Sequence, residues 1–171
     1  WSAQHSLGDT ENLQIGFDMD WIIDKNRFYM ALIIDEWAPH ETFNSNHHNW
    51  FGSQFGYSRM MSENSIFKIE YTRIEPQVYT HDHPINIPYH YDYPLGFWAR
   101  GDSEELFLNL FFKFTKLKDL RLIARHTLIG NPRYDEDASF LDTNSNNILK
   151  KRISIGFEFS SGFDSKVGPI K

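Results

Sequence analysis

The sequence predicts an all-β fold, an antiparallel up-and-down transmembrane β-barrel that is present as a fragment of about eight strands. Its segments alternate apolar with polar residues, which is the pattern of strands that bury one face. Short connections also alternate with long ones along the chain. Outer-membrane barrels have this asymmetry, with short periplasmic turns and longer outside loops. The long connections therefore mark the outward side, where function usually lies.

Seven strands are predicted in order at 11–23, 27–37, 50–61, 65–82, 104–116, 119–130 and 148–161, and an eighth begins near Ser165. Tight turns fall at Asp24-Lys25-Asn26, Ser62-Glu63-Asn64 and Leu117-Lys118. The long links cover about 38–49, 83–103 and 131–147. These strands exceed the ~5–6 residues usual in globular sheets. They reach the ~9–11 residues that a tilted strand needs to cross a bilayer.

Successive residues of a strand point to opposite faces of the sheet, and this strand parity separates an apolar face from a charged one. In the first strand Phe17, Met19 and Trp21 alternate with Asp18 and Asp20. We expect the charged face to line the lumen, and its mixed signs predict an ion-paired or plugged interior rather than a single-sign filter. The predicted lumen-facing residues are Asp18, Asp20, Lys68, Glu70, Lys113, Arg121, Arg125, Arg152 and Glu158.

Aromatic residues near the strand ends predict two interfacial girdles. Trp21, Phe28, Phe67 and Phe114 lie next to the tight turns, and Trp37, Trp50 and Tyr57 lie nearer the long loops. Three side chains depart from the pattern. Parity places Arg73 and His126 on the lipid face and Ile33 in the lumen. Arg73 either reaches the headgroups or follows a bulge before Pro76 that resets the register.

Composition narrows the function further. No stretch approaches the roughly 20 apolar residues of a spanning helix, and the net charge of -6 gives no support to nucleic-acid binding. Because the chain begins at Trp1 and barrels must close, we expect residues 1–171 to be part of one outer-membrane barrel domain that is cut at both ends. A soluble β-sandwich with the apolar face turned inward, or a lipid-binding barrel, is the alternative fold.

The sequence gives little support for a catalytic site or a metal site. His81, His83, His90 and Asp92 offer imidazole and carboxylate ligands, but they match no known metal-site spacing, so no metal or cofactor is predicted. Carboxylate pairs such as Glu104 and Glu105 are common in loops, and no nucleophile elbow or P-loop is present. The chain is therefore not expected to be an enzyme.

One stretch is distinctive: Glu70-Tyr71-Thr72-Arg73, then Pro76, Tyr79-Thr80-His81, a Tyr-rich loop, Pro94-Leu95-Gly96 and Gly101. This order resembles the late-barrel region of the capsule-assembly (Wzi-type) outer-membrane family. Gly16-Phe17-Asp18 and Leu32-Ile33-Ile34-Asp35-Glu36 also resemble strands of that family. The resemblance extends over about residues 13–130 and thins afterwards.

The resemblance implies a bacterial outer-membrane barrel, in contact with outer-membrane lipid, that retains capsular or extracellular polysaccharide at the cell surface without catalysing a reaction. Aromatic rings that stack on sugars and polar groups that orient hydroxyls suit this role. The same side chains also pack loops and anchor barrels. A porin-like solute channel is the alternative function. The predicted glycan-binding residues are Tyr79, His81, Asp82, His83, Tyr89, His90, Tyr91, Asp92 and Trp98.

Overall fold

The computed structural model describes residues 14–35, 50–79, 89–90, 93–94, 96–130 and 149–162. Within these ranges seven strands form one antiparallel sheet, ordered β1-β2-β3-β4-β7-β8-β9, and β5 pairs with β6 in a separate hairpin. The strands are β1 (Gln14–Ile23), β2 (Asn26–Asp35), β3 (Trp50–Ser62), β4 (Ser65–Ile74), β5 (Tyr89–His90), β6 (Tyr93–Pro94), β7 (Ser103–Thr115), β8 (Lys118–Ile129) and β9 (Lys150–Ser161).

The all-β, up-and-down prediction is confirmed. The described part of the sheet is open, with β1 and β9 at its edges. Ser165, where an eighth strand is predicted to begin, lies outside the described residues. No helix in the described ranges is long and apolar enough to cross a membrane.

Three turns lie at one end of the sheet, which is called the turn end here: Asp24-Lys25, Glu63-Asn64 and Lys116-Leu117. Asp24 has a φ of 52°, the left-handed conformation that tight hairpin turns require and that Asp tolerates. Pairing shifts between Met60 and Ser62 and between Lys113 and Thr115, beside two of these turns. Each shift adds one residue to one strand, as a β-bulge does. The longer connections leave from the opposite end, the loop end.

Cross-strand register gathers most of the apolar side chains of the seven strands on one surface, the apolar face. The described residues leave this face uncovered: Trp21 is 59% exposed, Ile155 85% and Phe157 81%. One row across the sheet consists of Met19, Met30, Phe55, Tyr71, Leu106, His126 and Ile153, and the next consists of Trp21, Phe28, Tyr57, Ile69, Leu108, Ala124 and Ile155.

The aromatic levels differ from the prediction on the loop side. Trp21, Phe28, Tyr57 and Phe67 follow one another near the turn end, with centroid separations of 6.4, 5.0 and 6.4 Å. Tyr57 belongs to this row because it pairs with Phe28, so its predicted place on the loop side is wrong. Trp50 does lie at the loop end, but its predicted girdle role is wrong, because its side chain is 5% exposed and packs in a buried hydrophobic cluster. Trp37 lies outside the described residues.

The opposite surface, the polar face, carries all nine residues that were predicted to face a lumen. Its centre holds a compact cluster in which the Tyr29 hydroxyl donates to Glu70 and the Lys68 ammonium lies 2.8 Å from the same carboxylate. Lys68 also lies 5.4 Å from the Phe107 ring centroid. Toward β1, Arg27 donates two hydrogen bonds from Nε and Nη2 to Asp20. Charges of opposite sign therefore pair both within a strand, as Lys68 and Glu70 do, and between neighbouring strands, as Arg27 and Asp20 do.

A glycine makes room for this cluster. A Cβ at Gly56 would lie 1.9 Å from Tyr29 Cζ, whereas a Cβ at Gly16, on the same face, would meet nothing within 4 Å. We expect Gly56→Ala to displace the Tyr29 ring from Glu70 and lower the free energy of unfolding by about 1–3 kcal/mol. Gly16→Ala should be neutral or slightly stabilising, since alanine restricts the unfolded chain.

Denaturant titration of both variants measures the difference. Equal stabilities for Gly56→Ala and Gly16→Ala would show that Tyr29 does not need this space.

The three departures from parity are each accommodated. The β4–β7 ladder runs without a shift from Ser65 to Ile74, so Arg73 stays on the apolar face and no bulge resets it. There Arg73 pairs with Glu104, which also accepts a hydrogen bond from the Tyr71 hydroxyl at 3.0 Å. His126 lies on the apolar face between Leu106 and Ile153. Ile33 lies on the polar face, where its side chain occupies the space that a Cβ at Gly52 would fill.

Candidate functional site

Two segments, 75–79 and 96–102, fold over the loop end of the polar face and form what is called the cap here. Val78 of the cap is fully buried and packs with Trp50 and Ile74 of the sheet in a hydrophobic cluster. The segments meet at Gly101, where a Cβ would lie 2.6 Å from the Val78 carbonyl oxygen. Only glycine lets the two backbones come this close, which explains why glycine occupies position 101 in the distinctive sequence stretch.

The cap begins where β4 ends. Strand pairing stops at Ile74 and residues 76–79 form a turn, so the predicted strand at 65–82 is too long. Pro76 explains the end, because it has no N–H to continue a ladder. Glu75 closes the corner: its N–H donates to the Phe51 carbonyl at 3.1 Å, and its carboxylate accepts from the Phe51 N–H at 2.8 Å. Burial raises the pKa of Glu75, and the Phe51 hydrogen bond opposes that rise.

Asp35 fastens the cap to the sheet. Its side chain is fully buried at the end of β2. Oδ2 accepts a hydrogen bond from the Tyr79 backbone N–H at 2.9 Å and another from Gln14 Nε2 at 3.0 Å. Tyr79 itself has a φ of 68°, a left-handed conformation that a non-glycine residue adopts only when its surroundings hold it there.

Tyr79 packs within the cap. Its ring fills the space above Gly96, where a Cβ would lie 2.4 Å from Tyr79 Cζ. It is partly buried beside Phe97 and the hydrophobic cluster. Burial raises the pKa of the Tyr79 hydroxyl. These contacts show a structural role, and glycan contact by Tyr79 stays a prediction.

Trp98 presents a ring to solvent from a fixed position. The side chain is 41% exposed, and its indole N–H donates to Glu105 Oε2 at 3.1 Å. The same carboxylate oxygen accepts from the Thr127 hydroxyl at 3.0 Å, and both of these supporting residues are buried. The Arg152 guanidinium lies 5.8 Å from the Trp98 ring centroid. Trp98 is therefore an exposed aromatic platform whose orientation is set by its hydrogen bond to Glu105 on β7, a carboxylate that Thr127 on β8 holds in turn.

The structure places the other predicted glycan-binding residues unevenly. Tyr89 and His90 form β5, whose backbone pairs with Tyr93 and Pro94. The rest lie outside the described residues: His81, Asp82, His83, Tyr91 and Asp92. Of the nine predicted residues, the described side chains are those of Tyr79 and Trp98, and both belong to the cap.

Sequence reasoning missed the residues that hold the site together. From the sequence, Glu105 was noted only as one of a common carboxylate pair, and Thr127 was not singled out. Parity within β7 and β8 does put both on the polar face, which is the signal that was present. Their direct pairing depends on the bulge at Lys113 and Thr115, which leaves no mark on the alternation.

Within the described ranges, no group of three or more His, Cys, Asp or Glu side chains could hold a metal ion. A cleft of about 100 Å³ lies where the cap meets the apolar face, between Arg73, Asp102, Glu104 and Gly130. Arg73 and Glu104 already pair across it, so the exposed platform at Trp98 is the stronger candidate site.

Comparisons with protein-family models, curated proteins and solved structures found no match for this chain. Any function therefore has to be argued from the two faces of the sheet and from the cap.

Proposed function

We propose that this chain is part of a bacterial outer-membrane β-barrel that binds capsular or other extracellular polysaccharide at the cell surface without catalysing a reaction. The observation that carries the proposal is the apolar face. It extends across all seven strands, and the described residues leave it uncovered. A soluble sheet buries its apolar face on a core, whereas a membrane barrel turns that face to lipid.

The polar face fits the same proposal. In a barrel its charged side chains line the lumen, where the pairs Lys68–Glu70 and Arg121–Glu158 neutralise each other. The single buried hydrophobic cluster that the described residues form lies on this side, under the cap. The sheet is thus filled on its polar side at the loop end and bare on its apolar side, which is the reverse of a soluble sheet.

Glycan binding is supported by the position of Trp98. Loop-end connections of outer-membrane barrels face outward, so the cap and its exposed ring lie at the outer mouth. Aromatic side chains held at low entropic cost are frequent energetic centres of binding sites. Sugar rings have an apolar C–H surface that packs on such a ring, and their hydroxyls suit the polar side chains around it.

The experiment is binding of the producing cell's own extracellular polysaccharide to the full-length protein in detergent or vesicles. We expect Trp98→Ala to weaken binding about tenfold or more, the loss typical of a central aromatic contact. Trp98→Phe, which keeps a ring, should retain most of it. Trp21→Ala, on the apolar face, is the matched control and should leave affinity unchanged. Failure of the wild-type protein to bind any form of this polymer contradicts the proposal.

A porin-like channel is the alternative, and the cap argues against it because it covers the loop end of the polar face. Single-channel recording in planar bilayers separates the two functions. A steady open conductance that survives in Trp98→Ala would favour transport over polysaccharide retention.

A further inference from the structure

We infer that Arg125 and Arg152, beside the Trp98 ring, form a subsite for the carboxylate of an acidic sugar. This inference rests on the proposed function and names the class of polysaccharide it concerns. In the β8–β9 ladder, Arg125 pairs with Ser154 and Thr127 pairs with Arg152. The two arginines are therefore diagonal neighbours on the polar face, a relation that places side chains about 7–8 Å apart.

Each of the two guanidinium groups is held in place by neighbouring side chains. Arg152 Nε donates to Ser154 Oγ at 3.2 Å, and Ser154 is the residue directly opposite Arg125. Arg125 lies 5.1 Å from the Phe107 ring centroid, and Arg152 lies 5.8 Å from that of Trp98. Aromatic rings fix the position of a guanidinium without consuming its N–H donors. Both arginines are exposed, so the Arg125 guanidinium and the Nη groups of Arg152 remain open to a ligand.

Their charges are not balanced by neighbours. Three other cations of the polar face do have carboxylate partners: Arg27 with Asp20, Lys68 with Glu70, and Arg121 with Glu158. Neither Arg125 nor Arg152 forms an ion pair among the described residues.

The nearest buried carboxylate is Glu105, which lies in the same row as Thr127 and Arg152. It already accepts hydrogen bonds from Trp98 and Thr127. Lys150, two residues before Arg152 on the same face, adds a further positive charge. The loop end of β8 and β9 is therefore locally cationic in a chain whose net charge is -6.

This arrangement matches one ligand chemistry. A carboxylate is planar and accepts paired hydrogen bonds from a guanidinium fork. A uronic acid carries that carboxylate on a sugar ring, and the Trp98 ring offers a surface for the apolar side of the same sugar. A neutral sugar would leave two desolvated guanidinium groups without an anion. The geometry therefore favours an acidic over a neutral polysaccharide.

The test compares two forms of one polymer, the producing cell's extracellular polysaccharide in its native form and after chemical reduction of its carboxyl groups to alcohols. Both are titrated against the full-length protein, with polygalacturonate oligosaccharides as a defined acidic probe. We expect the native polymer and the acidic probe to bind at least about tenfold more tightly than the reduced polymer, because hydrogen bonds to charged groups contribute about 1.5–3 kcal/mol.

Arg125→Gln combined with Arg152→Gln should abolish this preference and leave binding of the reduced polymer unchanged. Arg121→Gln, on the same strand and face but nearer the turn end, is the matched control and should keep the preference. Equal binding of native and reduced polymer overturns the acidic-sugar subsite and leaves the proposed function standing. An unchanged preference in the double variant also overturns it. Loss of binding to every form overturns both.

Discussion

Ile155→Arg should destabilise the protein by about 2–4 kcal/mol when it is folded in phospholipid bilayers, the cost of an arginine on the lipid face at mid-membrane. Ile155 lies at the middle of β9, in the row that also holds Ala124, Leu108 and Ile69. Its side chain is 85% exposed. In water an added charge at such an exposed position would cost little, so the size of the effect reports what covers the apolar face.

The adjacent residue provides the control. Gly156 points to the polar face, and a Cβ there would meet nothing within 4 Å. We expect Gly156→Arg to change stability by no more than about 1 kcal/mol, because a lumen residue can be charged without contacting lipid. Guanidinium titration in vesicles measures both variants. If Ile155→Arg lowered the free energy of unfolding less than Gly156→Arg, the apolar face would not be in contact with lipid.

Asp35→Ala is expected to lower the free energy of unfolding by about 2–4 kcal/mol. The substitution leaves the Tyr79 backbone N–H and the Gln14 amide without the acceptor they share in a fully buried site. A buried donor without a partner costs about 1–3 kcal/mol, and more where the lost partner is charged. Tyr79 then has less to hold its left-handed backbone, so the loss should concentrate in the cap.

Asp18→Ala is the matched control, because Asp18 lies on the same face of the neighbouring strand but is exposed. The free energy of unfolding of Asp18→Ala should stay within about 0.5 kcal/mol of the wild-type value. Amide hydrogen exchange localises the effect: protection at Tyr79 and Val78 should fall in Asp35→Ala while β7 and β8 keep theirs. Unchanged protection at Tyr79 would show that Asp35 does not fasten the cap.

The sequence was sufficient to assign residues to faces. Alternation is a local property, so parity within each strand correctly grouped Asp18 with Asp20, Lys68 with Glu70 and Arg121 with Arg125. The positions of the tight turns followed from the same pattern, since a turn is where the alternation of one strand gives way to that of the next. The strand order also followed, because short turns join neighbours.

The cross-strand partners of individual residues could not be predicted from the sequence. Counting back from the Thr115–Lys118 pair without a bulge would set Glu105 opposite Leu128, whereas the shift beside Lys113 sets it opposite Thr127. A displacement of one residue changes which side chains meet. The cap was missed for another reason: the predicted strand continued through Tyr79 to residue 82, but Pro76 and the buried Asp35 turn the chain back over the sheet. Those contacts are distant in sequence and leave no periodic signal.

In the proposed barrel, the Arg73–Glu104 pair on the apolar face would set how thick a bilayer this part of the sheet can span. It marks the loop-end limit of the apolar side chains on β4 and β7, and Phe114 marks the other limit on β7. Leu106 to Phe114 spans about 27 Å along an antiparallel strand, or about 21 Å once the strand tilts by the usual ~40°. Such a belt suits a thin hydrocarbon layer, and the bacterial outer membrane is thinner than the average bilayer.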